Sequence, residues 1–296
     1  IEKVVKLLKY KPSRFAKNLK TQSTFSISVV VPNLNLEFYG EIVDSLSVYA
    51  NQRNVEVMVN VTHNLDYIKE AIFDFAFSRR MDGIVLCTPD FKTIQMFSTL
   101  TIPIIALDWR NNIGGDLNVD SITIDNKKAA VNYLYSRGHR NFLIVTGGKN
   151  IQSSVDRLNG VKLFSQRHLE AQFSVKDGNF TPNSGYDIVK HFFKSGKKTT
   201  AIFAFNDLMA FGGLKAVIEM GINVPEDISI MGFDNSFISN YTFPRLTTVD
   251  QQKEKLGITA ASLMIERLYS VSNKRNREII VPYKIVERES VNQIKE

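Results

Sequence analysis

The residues that could do covalent chemistry are few and poorly spaced for it. The four histidines, His63, His139, His168 and His191, are scattered, and none pairs at the intervals that present metal ligands. There is no nucleophile elbow, Walker loop or dinucleotide fingerprint. The single cysteine, Cys87, sits in the apolar run GIVLC and reads as a buried, inert thiol, which fits a reducing cytoplasm and excludes a disulfide framework. His139, in SRGHRN at a helix-to-strand corner, reads as a cap, and Gly147-Gly148 as a tight turn after a strand. No catalytic constellation is present, and no metal or cofactor is expected; the sequence does not read as an enzyme.

Binding is the chemistry left, and the charge shows where to look first. The chain has 296 residues, 44% of them hydrophobic, enough for one large domain or two of ordinary size. No apolar run approaches the ~18 residues of a membrane helix. Formal net charge is +7, and residues 1–24 hold seven basic side chains against Glu2 alone, a net of +6 that leaves about +1 for the remainder. A nearly neutral body with a basic arm points to a polyanion partner at the arm. Within the arm, KPSRFAKNLKTQST (11–24) opens with Pro12, which suits a first helical turn. The run PSRFAKNL makes only about two turns, short of the ~12–15 residues an isolated helix needs, so a partner must order it. Ahead of it, IEKVVKLLKY places Ile1, Val4, Val5 and Leu8 on one helical face and reads as the last helix of something larger.

From Ser26 onward short β-branched runs alternate with amphipathic stretches. The strands expected are 26–31, 55–61, 83–88, 103–107, 142–147, 201–205 and 228–234; the helices are 37–53, 65–80, 91–99, 126–137, 155–170, 184–195 and 207–220. Continuous apolar strands between such helices imply parallel sheets covered on both faces. The fold class expected is therefore α/β, two doubly wound parallel-sheet lobes in tandem with a break near 124–140. After TTVDQ (247–251) comes one long helix, 252–271, a basic turn and a final strand IIVPYKIVERES, so the chain is expected to cross back between the lobes. Ligands of such sheets bind outside the carboxyl ends of the strands, which draws attention to polar residues just past them. Asp108, Asn206, Asp207 and Asp234 qualify. Turn chemistry is open to Asp108 and Asp234, and helix capping to Asn206 and Asp207; Asp207 is read as the cap.

Several phrases then fall together in order. YKPSRFAKNLKTQST, SVVVPN with FYGEI, DGIVL, PIIALD, SITIDNKKAA, SRGHRNFLIVTG, RLNG, FAFNDLMAFGGLKAVIEMGINVPEDISIMGFDN, PRLTTVDQ and VERES resemble the lactose-repressor (LacI/GalR) family of bacterial transcription regulators. The resemblance covers essentially the whole chain. It implies a dimerising, effector-binding core of the periplasmic-binding-protein type, preceded by a helix-turn-helix head and a hinge helix. Residues 1–10 would be the head's last helix, 11–24 the hinge and 25–296 the core, with an N-lobe of about 25–124 and 249–272 and a C-lobe of about 125–248 and 277–290. With only the final helix of the head in this sequence, major-groove contacts are not expected from it.

The same resemblance assigns an effector site between the lobes. Asp234 would accept two hydroxyl protons of a sugar, and Arg157, in DRLNG, would offer its fork of donors to ring oxygens, carboxylates or phosphates. Asn206 is favoured as a contact, with Asp108 a further candidate. Phe38, Tyr39 and Phe180 would give the apolar platform a sugar ring needs. The lone Trp109 is left at the surface or rim. In the hinge, paired helices of a homodimer would enter the minor groove of operator DNA. Leu19 would be the apolar wedge, Phe15 and Ala16 would lie on its side, and Arg14, Lys17 and Lys20 would lie against phosphates. Two other readings share the core: an exported sugar-binding protein, and a catabolite regulator corepressed by a phosphoprotein. The basic arm favours the regulator.

Overall fold

The structure is a computed structural model that describes residues 24–34, 36–63, 65–78, 81–109, 117–124, 129–149, 151–269 and 276–294. The expectations for residues 1–23, including Arg14, Phe15, Ala16, Lys17, Leu19 and Lys20, lie outside the described residues. The chain divides into two compact units: the described residues up to Ile122 with Glu254–Ile279, and Thr123–Lys253 with Ile280–Glu296.

The sheet of the first unit is built of β1 (Ser26–Val31), β2 (Glu56–Val61), β3 (Gly83–Cys87), β4 (Ile104–Leu107), β5 (Asp120–Ile124) and β11 (Glu278–Val281), in the order β11-β5-β4-β3-β1-β2, with the division between units falling after Ile122 in β5 and after Ile279 in β11. The register β1–β2, β1–β3, β3–β4 and β4–β5 is parallel. Helices α1 (Glu37–Asn51), α2 (Asp66–Phe77), α3 (Phe91–Phe97) and most of α8 (Lys253–Tyr269) belong to this unit. Its inner strands are buried almost along their length because helices cover both faces, and this is why GIVLC and IIAL read as unbroken apolar runs and SISVVV is interrupted only by Ser26 and Ser28.

The second unit repeats the plan. Its strands are β6 (Asn141–Thr146), β7 (Gln172–Asp177), β8 (Ala201–Ala204), β9 (Ser229–Phe233), β10 (Thr247–Asp250) and β12 (Lys284–Val286), ordered β12-β10-β9-β8-β6-β7. All the pairs are parallel except β10–β12. Helices α4 (Ala129–Ser136), α5 (Gln152–Ser165), α6 (Pro182–Lys194) and α7 (Asp207–Glu219) and a 3-10 turn (Phe237–Asn240) complete it. Among the described residues, no helix is long and apolar enough to cross a membrane.

Several expectations need correction. The final strand is two strands in different sheets, because Pro282 has no N–H to donate and ends the β11 ladder. The boundary at 249 moves: Val249 pairs with Phe233 in the second sheet, and the first unit resumes only at Glu254. Likewise 277–279 stay with the first unit. Trp109 is not at the rim but 7% exposed in the first core, packed with Phe97, Ile104 and Val119. His139 is not a cap; it is buried, with Nδ1 3.1 Å from Thr200 Oγ1 and Nε2 3.3 Å from the Asn292 carbonyl. Burial depresses its pKa, so the imidazole is held neutral.

Asp120 ties the returning helix to the first sheet. Its carboxylate, 4% exposed, accepts from Arg267 Nε (2.7 Å) and Nη2 (2.6 Å) and from the Arg277 backbone N–H (2.7 Å). One buried acceptor thus joins β5, α8 and the segment entering β11. Asp120→Ala removes the partner of a buried guanidinium and should destabilise the chain by about 3–5 kcal/mol. Chemical denaturation of variant and wild type checks this; a loss below about 1 kcal/mol, the surface-pair range, would show that the pair is screened.

Candidate functional site

In the order β7-β6-β8-β9-β10 the chain winds one way from β6 and the other way from β8. The loops leaving these two strands therefore diverge and leave a crevice at their carboxyl ends. In the second unit, the residues that follow the strands are Gly147 after β6, Phe205 and Asn206 after β8, Asp234 after β9 and Gln251 after β10. Phe180 lies in the turn from β7 to α6, and Arg157 is on α5.

These residues are bound to one another. Arg157 is 7% exposed, and its guanidinium carbon lies 3.7 Å from the centroid of the Phe233 ring. Nη1 donates to the Phe205 carbonyl, and Nη2 lies 3.5 Å from Asp234 Oδ1. The same Oδ1 accepts from Gln251 Nε2 at 2.6 Å. A cation this well buried must be paired, and the ring face, the carbonyl and the carboxylate meet that need. Asp234 itself is held in an unusual backbone conformation, φ +102°, and Asn235 follows at +50°. This left-handed pair is fastened by its neighbours. The Asn235 N–H donates to Thr248 Oγ1 (3.2 Å), its carbonyl accepts from Lys253 Nζ (3.2 Å), and its Oδ1 accepts from Arg288 Nη2 (2.7 Å). Left-handed residues other than glycine persist only where the surroundings over-determine them, and they collect at ligand clamps.

The assignment of cap and buried acid is the reverse of the sequence reading. Asn206 is the N-cap of α7, its Oδ1 accepting from the Met209 N–H at 2.9 Å, and its Nδ2 donates to the Phe180 carbonyl at 3.0 Å. Asp207 is 1% exposed and accepts from the Ser236 N–H (2.7 Å), the Ser236 hydroxyl (3.1 Å) and the Thr248 hydroxyl (2.6 Å). Either side chain could cap by type; the first residue of the pair has the extended backbone that a cap requires, and this settles the choice. Burial pushes the Asp207 pKa up to about 7, the Thr248 hydrogen bond opposes the shift and the nearby Asp234 charge adds to it.

In the first unit, the Tyr39 side chain is buried, its hydroxyl is 2.8 Å from Thr88 Oγ1, and its ring meets Phe38 edge-on at 5.3 Å. Thr88 and Asp108 directly follow β3 and β4 with φ of +46° and +53°. A β-branched residue such as Thr88 rarely adopts that conformation. The Asp108 N–H donates to the Ile122 carbonyl at 2.8 Å, which holds the turn to β5.

Sequence reasoning missed Gln251 and Thr88. Both are polar residues immediately past a strand, the rule that singled out Asp108 and Asp234. Thr88 falls inside the strand expected at 83–88, and TTVD, with one apolar residue in four, does not read as a strand. Among the described residues no His, Cys, Asp or Glu group could hold a metal ion.

The raised pKa of Asp207 makes a pH prediction. A carboxyl whose folded pKa lies above its unfolded value of ~3.9 contributes stability that is fully present below that value and lost as pH rises through about 7. The stability difference between wild type and Asp207→Asn should therefore shift against wild type from pH 5 to pH 8. Urea midpoints across that range test it; a pH-independent difference would mean that the group is ionised throughout.

Comparison with known proteins follows this geometry. Residues 131–291 match the periplasmic binding protein-like domain family. The chain is 31% identical over 302 residues to the HTH-type transcriptional repressor PurR of Salmonella paratyphi B, covering 97% of this chain and 86% of that protein. The lac repressor dimer bound to operator and the anti-inducer ONPF shares the fold, with a TM-score of 0.84 at 23% identity over 96% of this chain and 99% of that one. A regulator from Enterococcus faecium, described as of the LacI family and solved with bound ribose, has a TM-score of 0.78 at 25% identity over 91% of this chain and all of that one. With its two parallel-sheet lobes and this degree of identity to a repressor along nearly its whole length, the chain belongs to the LacI/GalR family of transcriptional regulators.

Proposed function

We propose that this chain is a transcriptional repressor whose affinity for operator DNA is set by a small hydroxyl-rich effector, a sugar or sugar phosphate. The observation that carries this reading is the Asp234–Arg157 pair, 3.5 Å apart at the carboxyl ends of the second sheet, with Gln251 on the same carboxylate oxygen. A carboxylate and a guanidinium fixed side by side offer acceptors and donors together, the pattern that adjacent hydroxyls or a phosphate satisfy. Phe180 supplies an apolar face in the same unit. From the first unit we assign Tyr39, Phe38 and Asp108 to effector contact. The repressor name of the 31% identical relative and the ribose bound to the Enterococcus faecium protein support the class of function and of ligand.

Such a protein acts as a homodimer in the cytoplasm, where operator DNA is. Arg14, Lys17 and Lys20 neutralise phosphates and Leu19 enters the minor groove between base steps, by residue type and by the family resemblance. Effector and operator are then reciprocally linked: each changes affinity for the other by the same factor. Leu19→Ala should lessen operator bending in a gel-shift bending assay while leaving effector affinity unchanged.

A thermal-shift screen of sugars and sugar phosphates identifies the ligand, because binding to the folded state raises stability by mass action. Asp234→Ala and Arg157→Ala should then each weaken binding about 10- to 100-fold by calorimetry, the worth of a charge-assisted hydrogen bond. Wild-type affinity in both variants would overturn the site.

A further inference from the structure

Phe180 is held in a conformation it does not favour, and two residues on other elements account for its being there. Its φ is +65°, in the left-handed region where a bulky aromatic is a rarity. The turn that carries it is braced locally: the Thr181 N–H (3.2 Å) and hydroxyl (2.6 Å) both donate to Asn179 Oδ1, and Thr181 caps α6. That bracing leaves the Phe180 carbonyl pointing at α7, where Asn206 Nδ2 donates to it at 3.0 Å. Asn206 is 3% exposed, and its other amide atom is already committed to the Met209 N–H. One side chain thus fastens the start of α7 to the turn before α6.

The ring has its own seat. A Cβ built on Gly147 would fall 2.1 Å from both Cε2 and Cζ of Phe180 and 2.8 Å from Cδ2. The backbone of Gly147 has little freedom to give way, because its N–H donates to Ser154 Oγ at 3.0 Å and its carbonyl accepts from Thr146 Oγ1 at 3.1 Å. Only glycine lets the ring come this close to the carboxyl end of β6, so Gly147 is a steric allowance as much as part of a turn.

We propose that Asn206 and Gly147 are positioning residues that together seat Phe180, fixing the height of the aromatic wall that the effector site proposed above assigns to it and so the size of effector that fits. This rests on the effector site proposed above and adds a part to the one expected of Asn206, that of ordering the wall.

Two arms test it. Asn206→Ser keeps a competent cap oxygen but cannot reach the Phe180 carbonyl, and Asn206→Asp, equally good as a cap, has no donor for it. In both, the amides of Asn179, Phe180 and Thr181 should exchange with deuterium about tenfold faster, the worth of one hydrogen bond, while those of 209–212 exchange as in wild type. Equal acceleration in both segments would mean that Asn206 is only a cap, and no change in either would mean that the clamp carries no weight; each result overturns the proposal. In the second arm, thermal shifts with D-ribose and with cellobiose are compared between wild type and Gly147→Ala. Displacing the ring should change the ratio of the two shifts by about threefold or more, whereas Asp234→Ala weakens both alike. An unchanged ratio would overturn the claim about size. If wild type responds to neither sugar, the smallest and largest ligands found by the screen of sugars and sugar phosphates replace them; a screen that finds none fails the effector class proposed above, and the exchange arm still decides the seat.

Discussion

The second unit is organised around one buried carboxylate. Asp207, at the first position of α7, accepts from the hydroxyl of Thr248 on β10 and from the backbone and hydroxyl of Ser236 beyond β9. It lies so close under β9 that a Cβ on Gly232 would come within 2.0 Å of its Oδ1. Three separate pieces of chain are therefore tied at one point, two residues from the left-handed turn that presents Asp234. The three donors offset part of the cost of burying the group, and what is left shows as its raised pKa. Geometry at the candidate site is inherited from this knot: Asp234 sits where it does because Ser236 is anchored and β10 is held in register.

Arg157 shows the same principle from the opposite charge. A long flexible cation on a helix normally spends its rotamer freedom in water. Here the guanidinium is packed over Phe233 and tied to the Phe205 carbonyl, so its direction is fixed before any ligand arrives. Pre-organisation of this kind lowers the ordering that binding must otherwise supply. The side chain belongs to the core by burial and to the candidate site by its neighbour, and the sequence, which marks it only as a ligand contact, does not show the first.

Much of this was legible in the residues. Strands buried on both faces announce themselves, because SISVVV, GIVLC, AIFA and SIMGF need no polar side, and the alternation with helices gave the fold class. The strands that went unread are those with another pattern. β7 is an edge strand with exposed positions, β10 reads TTVD with one apolar residue in four, and β5 carries Asp120 and Ser121, buried polar residues bonded to Arg267 and Arg277 far along the chain. The lone tryptophan was misplaced for a related reason: a polar neighbourhood, LDWRNN, says nothing about which core lies beneath. The site was legible as a set of positions past strand ends. The work each residue does there was not, since the choice between Asn206 and Asp207 as cap depends on one backbone dihedral angle.

The left-handed φ of Phe180 has a further consequence. Selection for stability alone would put glycine or asparagine at that position, both of which tolerate the conformation at little expense. An aromatic there trades folding free energy for a wall, and the trade is reversible in the laboratory. A glycine at 180 would free the dihedral angle but give up the packing of the ring against the second core, so a search for sturdier forms of this protein has to weigh one against the other at this position.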